Sequence, residues 1–131
     1  MNRYLQEVRD AHVLIQRWLG DVNADDALGD ALLARFSASF SMVTPHGALL
    51  DVNALRSFFR AQRGARPGLQ ITIAEARVLT QHAHGATVFY QEWQQLPGQP
   101  AMPRFSTAVL TCDEAGEILW QHLHETAQPV T

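Results

Sequence analysis

Apolar residues recur at helical spacing near the start of the chain. Five of them follow one another at steps of four and three residues: Tyr4, Val8, Ala11, Ile15 and Trp18. Residues at these steps share one face of an α-helix, so the pattern predicts an amphipathic helix that runs to about Leu19. Gly20 follows directly and is expected to end this helix.

A second helix and a short hairpin are predicted next. Asn23, followed three residues later by Asp26, is typical of a helix N-terminus. The apolar stripe of this helix consists of Leu28, Leu32 and Phe36. Alternation over residues 39–44 predicts a strand, and the turn Pro45-His46-Gly47 connects it to a returning segment at 48–50.

A third helix is predicted over residues 52–63. Asp51 can cap its N-terminus, and Gly64 can end it. Its inward-facing side chains are expected to be Leu55, Phe58 and Phe59. All three predicted helices therefore lie in the first half of the chain.

The hydrophobic period changes to two after Gly68 and stays so to the end. Four long strands are predicted, at residues 69–80, 86–96, 104–112 and 117–126. Helices followed by a meander of strands indicate an α+β fold, which we expect to form one domain over residues 1–131. Because the last two strands carry apolar residues on both faces, we expect a strongly bent antiparallel sheet. One side of it should enclose a helix-lined cavity, and the other should meet a partner chain.

Composition narrows the class of protein. Only 18% of the 131 residues are charged and 47% are hydrophobic, which favours an oligomer over a monomer. The net charge is −3 and the chain has no lysine, so it lacks the basic patch of a nucleic-acid binder. We expect a cytoplasmic protein without a membrane partner, because no apolar run has the length of a membrane helix or the form of a signal peptide. The single cysteine, Cys112, is expected to be a core residue.

Two segments resemble a known superfamily. The residues Phe40 to Gly47, leading into Leu55-Arg56-Ser57-Phe58-Phe59, are similar to the SnoaL-like group of the nuclear transport factor 2-like superfamily. The ending His122-Leu123-His124-Glu125-Thr126 resembles the association domain of calcium/calmodulin-dependent kinase, a member of the same superfamily. The resemblance implies a cystatin-like cone, in which a bent sheet wraps round a long N-terminal helix, and a homodimer formed through the outer sheet face. Members include dehydratases, isomerases, cyclases and binding modules, so the resemblance does not select a function.

The last hairpin separates into two faces. If Cys112 pairs with Glu117 across the turn at 113–116, alternate residues share a face. The face that we assign to the cavity as ligand-binding carries Arg104, Ser106, Gln121, Leu123 and Glu125. The face that we assign to the dimer interface carries Phe105, Val109, Trp120, His122 and His124.

The strand before this hairpin is assigned by the resemblance alone. It puts Tyr90 and Glu92 in the cavity, and Phe89 and Trp93 in the outer, dimerising face. A shift of one residue would reverse that assignment, because side chains alternate between the two faces of a strand.

Two histidine pairs raise the question of a metal site. Alternate residues on a strand point the same way, and imidazole is a common zinc ligand. His82 and His84, however, lie at a turn, whereas His122 and His124 lie toward the opposite end of the hairpin. Neither pair has a cysteine or carboxylate at ligand spacing, so we expect ordinary turn and interface histidines, no metal and no cofactor.

Acid–base chemistry is the better-motivated alternative to plain binding. A carboxylate in an apolar cone has a raised pKa, so Glu92 or Glu125 can act as a general base, with Tyr90 as a hydrogen-bond donor. A structural alternative is a cross-strand ion pair of Glu125 with Arg104 at the cavity rim. Three functions therefore stay open: a homodimeric small-molecule-binding protein with an apolar pocket, a SnoaL-like lyase or isomerase, and an assembly module that acts through its outer sheet face.

Overall fold

Three helices are followed by a long meander of strands, as the sequence predicts. The computed structural model describes residues 2–129. The helices are α1 (Arg3–Gly20), α2 (Asp26–Leu33) and α3 (Val52–Ala61). The strands are β1 (Phe36–Val43), β2 (Leu49–Asp51), β3 (Gln70–His82), β4 (Gly85–Gln95), β5 (Met102–Cys112) and β6 (Ile118–Ala127). The α+β class is confirmed.

All six strands form one sheet in the order β2-β1-β6-β5-β4-β3. Four of the five neighbouring strand pairs are antiparallel, and the sheet is mixed because β1 and β6 pair in parallel. A long connection through α3 and the meander separates these two strands, so hairpin geometry does not force them to alternate in direction. Register shifts interrupt β3, β5–β6 and β1–β6, and Glu75 has a φ of 56° at the shift in β3. Such bulges bend and twist a sheet.

Helix α1 lies on one face of this sheet, against β3 and β4, while α3 packs on β1 and β2. We call this helix-covered face the inner face and the opposite one the outer face. The main core lies between α1 and the inner face. Its members with the least exposure include Val8, Ala11, Val88, Tyr90, Ala108, Leu110 and Trp120. No helix within residues 2–129 has the length and apolar character needed to cross a membrane.

The second helix differs from the prediction at both ends. Its N-cap is Asp25, whose side chain accepts a hydrogen bond from the Leu28 N–H at 2.9 Å. Phe36 is not part of its apolar stripe but opens β1, because the Arg35 carbonyl already accepts a bond from the Trp120 N–H of β6 at 2.8 Å. On α3, Phe58 was expected to face inward, yet it is 48% exposed.

The register of the last hairpin differs from the prediction in two places, at the turn and at a β-bulge. Cys112 pairs with Ile118 and Leu110 with Trp120, one residue away from the expected partners. Gln121 is then an extra residue, so that Val109 pairs with His122 and Ser106 with Glu125, two residues away. A shift of one reverses the face of a side chain and a shift of two restores it.

This bulge decides which face assignments hold. Leu123 and Glu125 lie on the inner face as expected, since they follow the bulge. The placement of Trp120 on the outer face is wrong: the side chain is 1% exposed, and its Nε1–H donates to Glu7 Oε2 at 3.0 Å. The placement of Gln121 in the cavity is also wrong, because its amide bonds instead to Ser37 and Ser39 of β1.

Candidate functional site

A cavity of about 320 Å³ lies between the inner face of the sheet and the helices. Its apolar walls come from α1, β1, α3 and β6, and include Ile15, Leu19, Met42, Leu55, Phe59 and Leu123. Two exposed residues, His46 of the β1–β2 turn and Phe58, also line it. The partial exposure of Phe58 thus reflects a position at the edge of the cavity.

One wall of the cavity is polar. Glu92 and Gln94 are alternate residues of β4, so both point inward. Arg104 lies opposite Glu92 on β5, and Glu125 follows on β6. We call these four residues the polar band. Of the predicted ligand-binding residues, Glu92, Arg104, Leu123 and Glu125 line the cavity.

Helix α1 adds a buried histidine to this wall. The His12 Nδ1–H donates to the Val8 carbonyl at 2.7 Å, and Nε2 on the other side of the ring lies 3.1 Å from Glu92 Oε1. The sequence analysis missed His12. The signal was present, because His12 lies four residues after Val8 and three before Ile15, on the apolar stripe itself.

His12 and Glu92 form a buried ion pair. Burial lowers the pKa of His12, but the charge of Glu92 and its hydrogen bond outweigh that effect and raise the pKa overall. Burial raises the pKa of Glu92, but the attraction and hydrogen bond of His12, with help from Arg104 and Gln94, lower it to about 2. Glu92 is therefore ionised at neutral pH.

The pKa of Glu125 is shifted in the opposite direction from that of Glu92. Its Oε1 accepts from Arg104 Nη1 at 3.3 Å and its Oε2 from Ser106 Oγ at 3.2 Å, so the alternative ion pair with Arg104 is present. Burial and the nearby charge of Glu92 nevertheless raise the pKa of Glu125, against the opposing effects of Arg104, His12 and Ser106. A carboxyl group of this kind is suited to gaining and losing a proton.

Tyr90 and Ser106 lie behind the cavity wall rather than on its surface. Tyr90 is fully buried, and within residues 2–129 its hydroxyl has no hydrogen-bond partner. Its ring meets the His12 ring edge-on, with centroids 5.3 Å apart. Burial, together with the charges of Glu92 and Glu125, raises the pKa of Tyr90 well above its ordinary value.

A second residue that the sequence analysis missed is Arg66, in the segment after α3. Its backbone N–H donates to the Leu19 carbonyl at 2.9 Å, and its Nη1 donates to Gln94 Oε1 at 2.6 Å. Gln94 in turn donates to Glu92 Oε2 at 2.6 Å. Arg66 lines the cavity, so it extends the polar band. No sequence period identifies it, because it lies between regular elements.

The outer face carries the remaining predicted residues. The rings of Phe89 and Phe105 are 5.4 Å apart, and Phe105 is 40% exposed. The other members, apart from Trp120, are Trp93, Val109, His122 and His124. His122 Nδ1 forms a hydrogen bond with Ser41 Oγ at 2.8 Å. Within residues 2–129 no three or more potential metal-ligating side chains come together.

Comparison with solved structures finds close relatives of this fold. A nuclear transport factor 2-like protein of unknown function from Pseudomonas aeruginosa is 43% identical, with a TM-score of 0.90 over 96% of this chain and 98% of that one. The association domain of C. elegans calcium/calmodulin-dependent kinase II is 15% identical over 95% of both chains, with a TM-score of 0.71. A protein of unknown function with a cystatin-like fold from Nostoc punctiforme is 14% identical over 95% of this chain and 90% of that one, with a TM-score of 0.70. The last two comparisons show the fold alone. No protein-family model and no curated protein sequence matches the chain.

Proposed function

The chain belongs to the nuclear transport factor 2-like family, and we propose that it binds a small molecule, with an apolar body and a polar end, in the cavity of the cone. The observation that carries this proposal is that a largely apolar cavity surface meets the charged side chains of the polar band on one side. A concave, mostly apolar site with a few convergent polar groups is the usual form of a ligand pocket. Its volume is at the small end of such pockets, which favours a small ligand.

Thermal-shift measurements with neutral and charged aromatic compounds and short-chain acids test the binding proposal. We expect at least one class to raise the melting temperature, because a ligand that binds only the folded state stabilises it. Leu123→Trp should abolish the shift by filling the cavity, whereas Val13→Trp, on the exposed side of α1, should keep it. Equal shifts in both variants, or no shift with any compound, would refute the proposal.

A second candidate function is proton transfer, with Glu125 as the acid–base group. The raised pKa of Glu125 favours it for this role over Glu92, which the ion pair with His12 keeps ionised. Glu125 also lines the cavity, whereas Tyr90, the hydrogen-bond donor that the sequence suggests, lies behind its wall. The reaction class would be a lyase or isomerase step that begins with loss of a proton next to a carbonyl group.

Hydrogen–deuterium exchange tests proton transfer without knowledge of the natural substrate. Enolisable ketones are incubated with the protein in deuterium oxide, and loss of the C–H signal is followed by NMR. We expect exchange with the natural protein and its loss in Glu125→Gln, by about a hundredfold or more. Exchange that continues unchanged in Glu125→Gln would rule out this role.

Self-association through the outer face is a third proposal. Half-exposed aromatic residues with few charges are typical of protein interfaces, and Phe89 and Phe105 form such a cluster. The structural similarity to a kinase association domain is consistent with a fold that can assemble. We propose a homodimer in which this face is buried.

Sedimentation of two matched variants tests the assembly proposal. Phe105→Glu places a charge in the proposed interface and should yield monomers. Val13→Glu places the same charge on the exposed side of α1 and should leave the dimer intact. A Phe105→Glu protein with the sedimentation coefficient of the natural protein would show that another surface, or none, associates.

A further inference from the structure

The side chains on the cavity wall carry more positive than negative groups. His12, Arg66 and Arg104 are the cations, and Glu92 and Glu125 are the carboxylates. The charge of His12 is matched by Glu92 at 3.1 Å, and that of Arg104 by Glu125 at 3.3 Å. Within residues 2–129, the Arg66 side chain bonds to an uncharged partner, the amide of Gln94.

We propose, building on the small-molecule site above, that the polar end of the ligand is a single carboxylate held between Arg66 and Arg104, and that Glu125 takes up a proton when it enters. The apolar walls would surround the body of the ligand. The natural ligand class would thus be small monocarboxylic acids with an aromatic or branched aliphatic body.

Arg66 and Arg104 account for the choice of a carboxylate. A guanidinium group presents a planar fork of N–H donors that matches the two oxygens of a carboxylate. A partly buried cation without a counter-charge favours an anion, since charge–charge attraction grows as the local dielectric constant falls. The excess is one positive charge while Glu125 is ionised and two once Glu125 is protonated, so an anion is favoured in either state.

Glu125 is the group that we expect to take up a proton when the ligand binds. The charged or titratable groups around it are His12 from α1, Glu92 and Tyr90 from β4, and Arg104 from β5. His46 of the β1–β2 turn and Arg66 line the same cavity. A second carboxylate beside Arg104 would face Glu125 across a small cavity, and two like charges at such distance disfavour double ionisation. Burial and Glu92 already raise the pKa of Glu125, so a nearby anion would raise it further.

Isothermal titration with three matched probes tests this inference: phenylacetate, phenylacetamide and phenethylamine. Titrations run between about pH 6 and about pH 8.5, in two buffers of different ionisation heat, so that proton uptake is measured directly. We expect the carboxylate to bind at least about tenfold more tightly than the amide or the amine at the lower pH. Its affinity should fall as the pH rises, by up to about tenfold per pH unit, with uptake of up to about one proton.

Variants separate the two parts of the inference. Arg66→Gln should remove the preference for the carboxylate over the amide, and Arg66→Lys should restore part of it. Arg60→Gln, at an exposed position outside the cavity lining, should keep the preference. Glu125→Gln, which imitates the protonated acid, should bind the carboxylate without proton uptake and without the fall in affinity. Thermal denaturation of each variant confirms that it is folded before titration.

The outcomes distinguish this inference from the binding proposal beneath it. Equal binding of carboxylate and amide would overturn the inference and leave the pocket proposal standing. Preference for the carboxylate without proton uptake would also overturn it, because Glu125 would then stay ionised beside the ligand. Binding of none of these probes, together with the absence of any thermal shift in the wider panel, would overturn both.

Discussion

The two ends of the polar band carry the same residue type in different surroundings. Glu92 and Glu125 both lie on the inner face and are 3% and 6% exposed. Their pKa values nevertheless move in opposite directions, to about 2 for Glu92 and above the ordinary value for Glu125. Burial alone does not explain this contrast, because it acts on both in the same sense.

The difference lies in what each carboxylate contacts. Glu92 receives hydrogen bonds from His12 and Gln94, whereas His12 acts on Glu125 only through its charge. Glu125 contacts Arg104, whose charge also acts on Glu92, and it contacts the neutral hydroxyl of Ser106. The charges of His12 and Glu92 thus compensate each other, and we call these two residues the closed pair. Glu125 remains a group that can exchange a proton.

The largest expected effect comes from breaking the closed pair. His12→Leu leaves Glu92 buried without its cation, and we expect a loss of about 3 to 5 kcal/mol in the free energy of unfolding. Urea denaturation at neutral pH measures it. The double variant His12→Leu with Glu92→Leu should recover most of the loss, because an apolar pair needs no charge compensation. A single variant that loses less than about 1 kcal/mol, as an exposed pair would, contradicts the closed-pair interpretation.

The next effect is a difference in pH dependence between the two glutamates. The pKa of Glu92 is lower in the folded state, so its stabilisation is present above about pH 4.5 and is lost as the pH falls toward about 2. Glu92→Gln should therefore cost about 2 kcal/mol at neutral pH, and the cost should shrink over that window. Denaturation at a series of pH values follows it.

The contribution of Glu125 to stability should change with pH in the opposite direction. Its pKa is higher in the folded state, so its contribution is complete below about pH 4.5 and is lost as the pH rises through the folded-state value. The natural protein should accordingly lose stability relative to Glu125→Gln as the pH rises from about 4.5. Parallel pH profiles for Glu92→Gln and Glu125→Gln would remove the contrast between the two ends.

A smaller effect is expected at Ser106, which is buried and donates to Glu125. Ser106→Ala removes one hydrogen bond to a carboxyl group, and we expect a loss of about 1 kcal/mol in unfolding free energy. The pKa of Glu125 should rise further, since the bond from Ser106 lowers it. A lower pKa of Glu125 in Ser106→Ala, measured by NMR titration, would show that this bond favours the protonated acid instead.

The smallest effect is expected at Tyr90. Tyr90→Phe removes a hydroxyl group that has no partner within residues 2–129, so the unfolding free energy should change by less than about 0.5 kcal/mol or rise. Thermal and urea denaturation measure the change. A loss above about 1 kcal/mol would indicate a hydrogen bond of the hydroxyl in solution.

The sequence predicts the fold better than the site, and the hairpin of β5 and β6 shows why. Alternation identifies the strands, and the resemblance to known members identifies the cone. Alternation cannot reveal that the turn is one residue longer than predicted, which reverses Trp120, or that the bulge at Gln121 adds a second shift, which returns Leu123 and Glu125 to the expected face. Face assignments therefore hold on one side of the bulge and fail on the other.

His12 and Arg66 escape sequence reasoning for two different reasons. His12 lies on the apolar stripe of α1, where a polar residue looks like an exception until its partner Glu92 is known, 80 residues away. Arg66 lies outside every regular element, so only the bonds to Leu19 and Gln94 place it at the cavity. Long-range pairing determines both positions, and no local pattern encodes it.

An NMR titration of the glutamate side-chain carboxyl carbons tests the contrast most directly. The protein is labelled with ¹³C at the glutamate side chains, and Glu92→Gln and Glu125→Gln identify the two signals. The account predicts that the Glu92 signal stays in its ionised position down to about pH 3 while the Glu125 signal titrates above the ordinary glutamate value of 4.5. Two signals that titrate together, or Glu92 titrating at the higher pH, would contradict it.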